Sequence, residues 1–370
     1  MSESSGLWYC PSCGFTHDLS RYFWRCPKCG KPLDILYRPK WEPVQGKSGL
    51  ARYLSSLPPV GNLVTLGEGG TPVVAKKVAG VEVWFKLEYL NPTGSFKDRG
   101  ASLAASLALK LGYTKVVEDT SGNTGIAVSA YSRIGGLDVT IVMPEKAPRG
   151  KKILCKLLGA SVVETKTRGE AAEKVLELIN DETFYVAHTW SPLFIEAAKT
   201  VAYEAFESGF RGNAVVVPVG SGGLMLGIYR GFKDLLNWGL ISEMPRFIAV
   251  QGTSVAPLYE EVHGELPSST LPSDLADGIM VPNPPRLREL KEAVLESRGS
   301  VALVDNDDIV SALKELLRAG FIVEPTSAAP YAALMKAVEE GLVDRGEAVL
   351  LPLTGSGLKT IGMFETLLAK

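Results

Sequence analysis

Residues 91–100 read Asn-Pro-Thr-Gly-Ser-Phe-Lys-Asp-Arg-Gly and lie between a predicted strand and a predicted helix. The first four residues include Asn, Pro and Gly, which favour turns. Ser95 is a candidate helix N-cap, and Asp98 follows three positions later, in the spacing of a capping box. This pattern predicts that Lys97 projects from the first turn of a helix. An isolated lysine of this kind is more often a solvated surface residue than a nucleophile, so its role depends on the surrounding sequence.

Strands and helices alternate around this segment, from residue 73 onward. Such alternation is typical of parallel sheets covered by helices on both faces. Ligands of these sheets bind at the carboxyl ends of strands, so the sequence predicts an α/β protein with its site in the loops that follow strands. The predicted strands are 81–87, 116–118, 139–143, 162–164, 214–219, 247–251, 301–304 and 348–353, and the predicted helices are 102–111, 126–134, 151–158, 170–179, 196–208, 224–236, 309–319, 328–339 and 360–368.

Three glycine-containing loops each follow one of these predicted strands. They read Thr-Ser-Gly-Asn-Thr-Gly at 120–125, Gly-Ser-Gly-Gly-Leu at 220–224 and Thr-Gly-Ser-Gly at 354–357. Glycines let the backbone approach a ligand closely, and amides at a helix start attract anions. A single loop of this kind is weak support, because ordinary strand-to-helix turns look alike. Three loops and a lysine together favour one shared cofactor.

Four of the five cysteines form two Cys-x-x-Cys pairs near the N-terminus, Cys10 with Cys13 and Cys26 with Cys29, separated by twelve residues. Each pair directs two thiolates to one point, and two pairs supply the tetrahedral sulfur shell that Zn²⁺ prefers. All four positions are filled by protein, so the sequence predicts a structural zinc site. The fifth, Cys155, lies in an apolar helical pattern and is predicted to be core packing.

Composition narrows the possible partners. A net charge of −2 gives no polyelectrolyte footprint for DNA or RNA, so nucleic acid is not expected as a partner. Apolar residues make up 46% of the chain, which is enough for sizeable cores. Residues 1–9 lack the pattern of a signal peptide, and no apolar run approaches the roughly 20 residues that span a bilayer. We therefore expect a cytoplasmic protein that does not associate with a membrane.

The sequence Gly-Ser-Phe-Lys-Asp-Arg-Gly at 94–100 strongly resembles the lysine motif of the β-family, or fold type II, of pyridoxal-phosphate (PLP) enzymes. With Lys86 and Glu88 upstream, the pattern is most similar to that of threonine synthases, and the resemblance covers most of residues 60–370. The N-terminal ribbon is similar to that of many archaeal threonine synthases and of cysteate synthases. The resemblance implies two open, twisted, mostly parallel sheets flanked by helices, a small zinc ribbon, a homodimer, and Lys97 as the Schiff-base lysine of PLP.

The same resemblance implies roles for the three loops. Asn123 would hydrogen-bond the 3′-oxygen of PLP, and Thr354 would bond its pyridine nitrogen, with Ser356 as the alternative. The implied ligands of the substrate carboxylate are Ser121, Gly122 and Thr124. The implied ligands of the PLP phosphate are the amides of Gly220, Ser221, Gly222, Gly223 and Leu224. The sequence Glu-Pro-Thr-Ser-Ala at 324–328 resembles a family helix start near the ring, where its role is either structural or functional.

One stretch departs from the threonine synthase pattern. Many members carry Asn-Ser-x-Asn-Pro-x-Arg, whose Arg helps to bind the substrate phosphate. Here residues 188–194 read His-Thr-Trp-Ser-Pro-Leu-Phe, so Phe194 replaces that Arg, and His188 and Ser191 replace the two Asn residues. His188 is either a substrate contact or a packed core histidine. The candidates to compensate for the missing cation are His188, Lys199, Lys146, Arg149 and Lys151.

The resemblance also implies a domain organisation and a reaction. We expect a zinc ribbon at 1–38, a large PLP-binding domain at 39–100 and 205–370, and a small substrate-closing domain at 101–204. The expected activity is that of a lyase that converts the small-molecule amino acid O-phospho-L-homoserine and water to L-threonine and phosphate. The alternatives are a cysteate synthase-like β-replacement enzyme, a threonine or serine ammonia-lyase, and a non-enzymatic protein that uses its ribbon as an interaction head.

Overall fold

The structure is a computed structural model that describes residues 6–265 and 271–368, with the side chains of 365–368 left aside. The chain forms two compact units, Met1–Gly70 with Asn91–Ala197, and Thr71–Leu90 with Ala198–Lys370. The strands are β1 Leu7–Tyr9, β2 Thr16–Asp18, β3 Asp34–Leu36, β4 Val73–Val78, β5 Val81–Lys86, β6 Lys115–Asp119, β7 Asp138–Pro144, β8 Ser161–Thr165, β9 Thr183–Tyr185, β10 Ala214–Pro218, β11 Arg246–Gly252, β12 Ser300–Val304 and β13 Ala348–Pro352. The α-helices are α1 Lys97–Lys110, α2 Asn123–Ile134, α3 Arg149–Leu157, α4 Arg168–Glu177, α5 Pro192–Glu207, α6 Gly223–Asn237, α7 Pro257–His263, α8 Leu287–Glu296, α9 Asn306–Arg318, α10 Pro325–Glu339 and α11 Ile361–Leu368.

The N-terminal ribbon is an antiparallel sheet in the order β2-β1-β3, and it packs into the core of the first unit. Trp8 in β1 is completely buried. The ring of Tyr22 stacks on Phe184, with centroids 3.9 Å apart, and its hydroxyl donates to the backbone oxygen of Tyr185 at 2.7 Å. The ribbon therefore shares its hydrophobic contacts with the parallel sheet of this unit.

The first unit also contains a parallel four-stranded sheet in the order β8-β7-β6-β9. Helix α1 is buried along most of its length, from Asp98 to Ala108. Its sequence is rich in Gly, Ala and Ser, and these small residues allow other elements to pack closely around it. The helix predicted from the sequence begins at residue 102, whereas α1 begins at Lys97, so Lys97 does lie in the first helical turn.

The capping box predicted at the start of α1 is wrong. The N-cap position is Phe96, which makes no side-chain cap, and the buried hydroxyl of Ser95 has no hydrogen-bond partner among the described residues. The carboxylate of Asp98 instead accepts from the backbone N–H of Thr93 at 2.7 Å. The turn that precedes the helix folds back on Asp98, so this carboxylate stabilises the loop rather than the N-cap.

The second unit is built on a six-stranded sheet in the order β12-β11-β10-β13-β5-β4, and only the edge strand β4 is antiparallel. The central strand β10 reads Ala-Val-Val-Val-Pro and is buried at every position, as a parallel strand covered on both faces requires. The expected α/β architecture of two mostly parallel sheets with a small ribbon is confirmed. Among the described helices, none is both long enough and apolar enough to cross a membrane.

The observed units divide the chain differently from the predicted domains. The lysine segment 91–100 belongs to the first unit, and not to a domain with 205–370, because α1 is part of the core that includes β6 and α2. Residues 39–70 also belong to the first unit. The three-part functional division thus stays a prediction, and residues 1–5, 266–270 and 369–370 of its ranges lie outside the described residues.

Candidate active site

Lys97 lies beside aromatic rings. Its Nζ atom is 4.8 Å from the ring centroid of Phe96 and 5.9 Å from that of Phe194. Phe194 is buried, and a Cβ atom added to Gly100 would lie 2.2 Å from its Cδ1 atom. A glycine is therefore required at position 100, one turn after Lys97, to leave room for the ring of Phe194.

The loop 120–125 connects β6 to α2, which begins at Asn123. Its N-cap is Gly122, which has no side chain to bond the first amides of the helix. These amides lack intrahelical partners and carry the positive end of the helix dipole, so they suit a carboxylate or a similar anion. A Cβ atom at Gly122 would lie 3.0 Å from the Nζ atom of Lys151, a side chain that is only 2% exposed. The loop therefore has a buried amine packed against it.

A second cation contacts the same loop. Arg168 is the first residue of α4, and its Nη2 atom donates to the hydroxyl of Ser121 at 2.8 Å. Arg168 could not be recognised from the sequence, because it lies 47 positions from Ser121 and belongs to no motif. The structure thus places a guanidinium on a residue predicted to bind the substrate carboxylate.

His188 forms a buried pair with Glu118. The Nδ1 atom of His188 hydrogen-bonds the Oε1 atom of Glu118, whose side chain is fully buried in β6. Burial, and then the positive charge of Lys97, lowers the pKa of His188 to about 3. Burial also raises the pKa of Glu118 well above its usual range. The imidazole is therefore uncharged at neutral pH and supplies no positive charge to a substrate. In the sequence, Glu118 could have been recognised as an acidic residue within a predicted apolar strand.

In the second unit, the loop 220–224 follows β10 and leads into α6. Gly222 is the N-cap of this helix, with a left-handed φ of 88°. A Cβ atom at Gly222 would lie 2.5 Å from Leu290, and one at Gly220 would lie 2.5 Å from the backbone oxygen of Gly278. Both positions therefore require glycine, and the helix-start amides form a backbone cradle that fits a phosphate dianion.

Thr354 follows β13 in the same unit and is 3% exposed. Its hydroxyl lies 3.0 Å from that of Ser327, which also accepts from the backbone N–H of Gly355 at 2.8 Å. Ser327 belongs to the motif at 324–328, so this motif orients the loop that carries Thr354. The hydroxyl of Ser356 accepts from the backbone N–H of Leu358 at 3.3 Å, so both hydroxyls of this loop have a partner within the protein.

Lys199 lies in the second unit and is paired with an acid. Its Nζ atom is 2.6 Å from an oxygen of Asp234, which also accepts from the hydroxyl of Tyr203 at 2.6 Å. The side chain of Lys199 is 4% exposed. Its charge is therefore balanced within the core. Lys146 and Arg149, two other candidates to bind phosphate, are exposed in the first unit.

The four N-terminal cysteines form one cluster in which all sulfur atoms lie within 4.8 Å of one another. The Sγ atoms are 3.5 Å apart in the pairs Cys10–Cys29 and Cys13–Cys26. A tetrahedral zinc ion with Zn–S bonds of about 2.3 Å separates its sulfur ligands by about 3.8 Å, so the cluster fits zinc. Both knuckles close in the same way, since Gly14 and Gly30 have positive φ and donate to the first cysteine of each pair.

Comparison with known proteins places this chain among enzymes. A family model described as pyridoxal-phosphate dependent enzyme matches residues 64–355. A threonine synthase of Methanocaldococcus jannaschii is 33% identical over 95% of this chain and 92% of its own length. A threonine synthase of Mycobacterium tuberculosis is 34% identical over 80% of this chain and 83% of its own length.

Solved structures show the same fold. An O-acetylserine dependent cystathionine beta-synthase from Helicobacter pylori superposes with a TM-score of 0.67 at 25% identity, and the match covers 80% of this chain and 95% of that one. A threonine deaminase from T.th. has a TM-score of 0.64 at 26% identity, covering 77% and 92% of the two chains. These two neighbours are named for different reactions, so the shared fold alone does not specify a substrate.

Proposed function

The chain belongs to the pyridoxal-phosphate-dependent enzymes and, within them, to the threonine synthase family, and we propose that it converts O-phospho-L-homoserine and water to L-threonine and phosphate. The observation that carries this proposal is the position of Lys97 in the first turn of α1, within the match to the family model. In the same unit, the glycine N-cap of α2 offers amides to an anion. A surface lysine would not need the aromatic surroundings that Lys97 has, between the rings of Phe96 and Phe194.

We propose that Lys97 carries PLP and that Asn123 binds the 3′-oxygen. The loop 220–224 would bind the phosphate of PLP through its backbone, and Thr354 would bind the pyridine nitrogen. PLP supplies an electron sink for carbanions next to the substrate nitrogen. The hydroxyl of Thr354 is neutral and cannot hold the pyridine nitrogen protonated as an Asp would. A weaker electron sink favours elimination and replacement over transamination.

The amine of Lys97 would move the protons of the reaction. With the substrate bound, the free amine of Lys97 would remove the proton on Cα and would then transfer protons at Cβ as a general acid and base. The bond between Cγ and the phosphate oxygen breaks, phosphate leaves with both electrons, and Cγ ends with an added proton. Water contributes the hydroxyl group at Cβ. The sum is O-phospho-L-homoserine plus water giving L-threonine plus phosphate, with atoms balanced.

We further propose a structural zinc ion bound by Cys10, Cys13, Cys26 and Cys29. The supporting observation is the compact sulfur cluster with two identical glycine-closed knuckles. All four ligands come from protein, which leaves no coordination position for a substrate. We also propose that the enzyme acts in the cytoplasm as a homodimer, on the strength of the family resemblance alone.

Lys199 is expected to matter for stability and not for binding of the substrate phosphate. Replacing Lys199 with Met leaves Asp234 without its cation, so we expect the free energy of unfolding to fall by about 3 kcal/mol and the melting temperature to fall with it. The double variant Lys199→Met/Asp234→Asn should recover part of this loss. In both variants the KM for O-phospho-L-homoserine should stay within about twofold of wild type. A tenfold higher KM with an unchanged melting temperature would show that Lys199 binds the substrate.

The experiment that tests the proposed function is a product assay on purified enzyme reconstituted with PLP and zinc. Parallel reactions receive O-phospho-L-homoserine, L-threonine, L-serine, or O-phospho-L-serine with sulfite. We expect equimolar phosphate and L-threonine from the first reaction only.

Apolar Phe194 and uncharged His188 favour a second candidate, a related enzyme whose substrate carries no γ-phosphate. Release of 2-oxo acid from L-threonine or L-serine, with no product from O-phospho-L-homoserine, would identify an ammonia-lyase. Formation of cysteate would identify a β-replacement enzyme. Either result would retain PLP and reject the proposed substrate.

A further inference from the structure

A substrate phosphate is a dianion at neutral pH, and in the first unit neither His188 nor Phe194 offers it a positive charge. His188 is uncharged because burial lowers its pKa to about 3. Phe194 packs against Gly100, where an added Cβ atom would lie 2.2 Å from its Cδ1 atom, and its apolar ring carries no charge. If the enzyme acts on a phosphorylated amino acid, other cations near Lys97 must bind the phosphate.

Two cations reach the loop 120–125 from separate helices. Arg168 extends from the start of α4 and donates to the Ser121 hydroxyl at 2.8 Å. Lys151 extends from α3, is 2% exposed, and packs against Gly122, since a Cβ atom added there would lie 3.0 Å from its Nζ atom. The two side chains therefore flank adjacent residues of one loop.

Arg168 also acts electrostatically on His188, as Lys97 does. The positive charges of Lys97 and Arg168 both act to lower the pKa of His188. Both cations therefore act on the same buried imidazole of the first unit. Arg168 is exposed, so a group bound to it has a route to solvent, as a leaving phosphate needs.

We propose that Arg168, together with Lys151, binds the γ-phosphate of the substrate and thereby selects a phosphorylated amino acid. This inference rests on the proposed function. A guanidinium presents N–H donors in a planar fork that matches phosphate oxygens, and an ammonium adds a compact second charge. Two positive charges match the dianion. The amides at the start of α2 would bind the monoanionic carboxylate of the substrate, so this carboxylate does not require either cation.

The test replaces Arg168 with Gln in the holoenzyme, which removes the charge but keeps hydrogen-bonding capacity toward Ser121. We expect the KM for O-phospho-L-homoserine to rise by about tenfold or more, as for loss of a charge-assisted hydrogen bond, with a smaller change in kcat. The Kd for inorganic phosphate, measured by calorimetry, should rise by a similar factor. The Kd for L-threonine, which has a carboxylate but no phosphate, should stay within about twofold. Arg168→Lys should recover part of both losses.

Arg133→Gln is the matched control, since Arg133 is an arginine of the same unit paired with Asp138 at 3.0 Å. It should leave all three constants at their wild-type values. Lys151→Met is the second variant, and it should also weaken binding of inorganic phosphate.

Three outcomes would decide the proposal. If Arg168→Gln weakens the binding of L-threonine and of inorganic phosphate equally, Arg168 binds the carboxylate and the proposal is wrong. Unchanged binding of inorganic phosphate would also overturn the proposal. An enzyme that makes no threonine but binds inorganic phosphate through Arg168 would reject the proposed function and keep the anion site.

Discussion

Replacing Lys97 with Ala is expected to lower the rate of L-threonine formation by about 10³-fold or more, because the variant loses the amine that moves protons at Cα and Cβ. The variant should also lose the visible absorption band of lysine-bound PLP. PLP should still bind without a covalent bond, since the backbone of the loop 220–224 and the side chains of Asn123 and Thr354 are unchanged. The measurements are steady-state kinetics and an absorption spectrum of the dialysed protein.

Lys110→Ala is the matched control, because Lys110 is the last residue of the same helix and its amine bonds the backbone oxygen of Pro59. It should leave both the rate and the spectrum unchanged. If Lys97→Ala keeps more than a tenth of the wild-type rate, another group removes the Cα proton and the assignment of Lys97 as the base is wrong.

Replacing Cys26 with Ser is expected to produce the second large effect, loss of bound zinc with unfolding of the ribbon. Trp8 and Tyr22 pack into the core of the first unit, so loss of the ribbon exposes apolar surface there as well. We expect the free energy of unfolding to fall by about 4 kcal/mol or more. Zinc content by elemental analysis and the melting temperature by calorimetry measure the two effects.

Cys155→Ala is the control for this variant, because Cys155 is a buried cysteine of α3 outside the sulfur cluster. It should keep one zinc ion per chain and lose much less stability. A Cys26→Ser protein with full zinc content, or with an unchanged melting temperature, would contradict the proposed structural site.

The arrangement of strands and helices was largely predictable because it repeats. Continuous apolar segments such as that of β10, each followed by a helical pattern, indicate buried parallel strands. The elements that were missed lack this signal. Strand β4 reads Val-Val-Ala-Lys-Lys-Val, lies at a sheet edge and has no buried residue, and β9 has only three residues. The compact units also divide the chain differently from the predicted domains, because α1 packs with α2 and β6 in the core of the first unit.

The candidate site was predictable where its parts are contiguous in sequence. Lys97 and the glycine loops are short motifs, and the structure places each at the start of a helix or after a strand, as expected. Glu118 and Arg168 were missed because their roles arise from tertiary contacts with His188 and Ser121. The capping role of Ser95 was wrong because the side chain of Asp98 bonds backward to Thr93.

The structure changes the interpretation of Phe194. In the sequence it appears as the loss of a cation. In the structure its ring occupies space that exists only because residue 100 is glycine, while Arg168 and Lys151 bring cations to the neighbouring loop. The positive charges beside the loop 120–125 therefore come from α3 and α4, and not from position 194.

Whether Lys97 carries PLP is tested by reducing the holoenzyme with borohydride, followed by proteolysis and mass spectrometry. We expect one pyridoxyl group per chain, located on the peptide that contains Lys97. A pyridoxyl group on another lysine, such as Lys86 or Lys151, or no modified peptide from protein saturated with PLP, would contradict it.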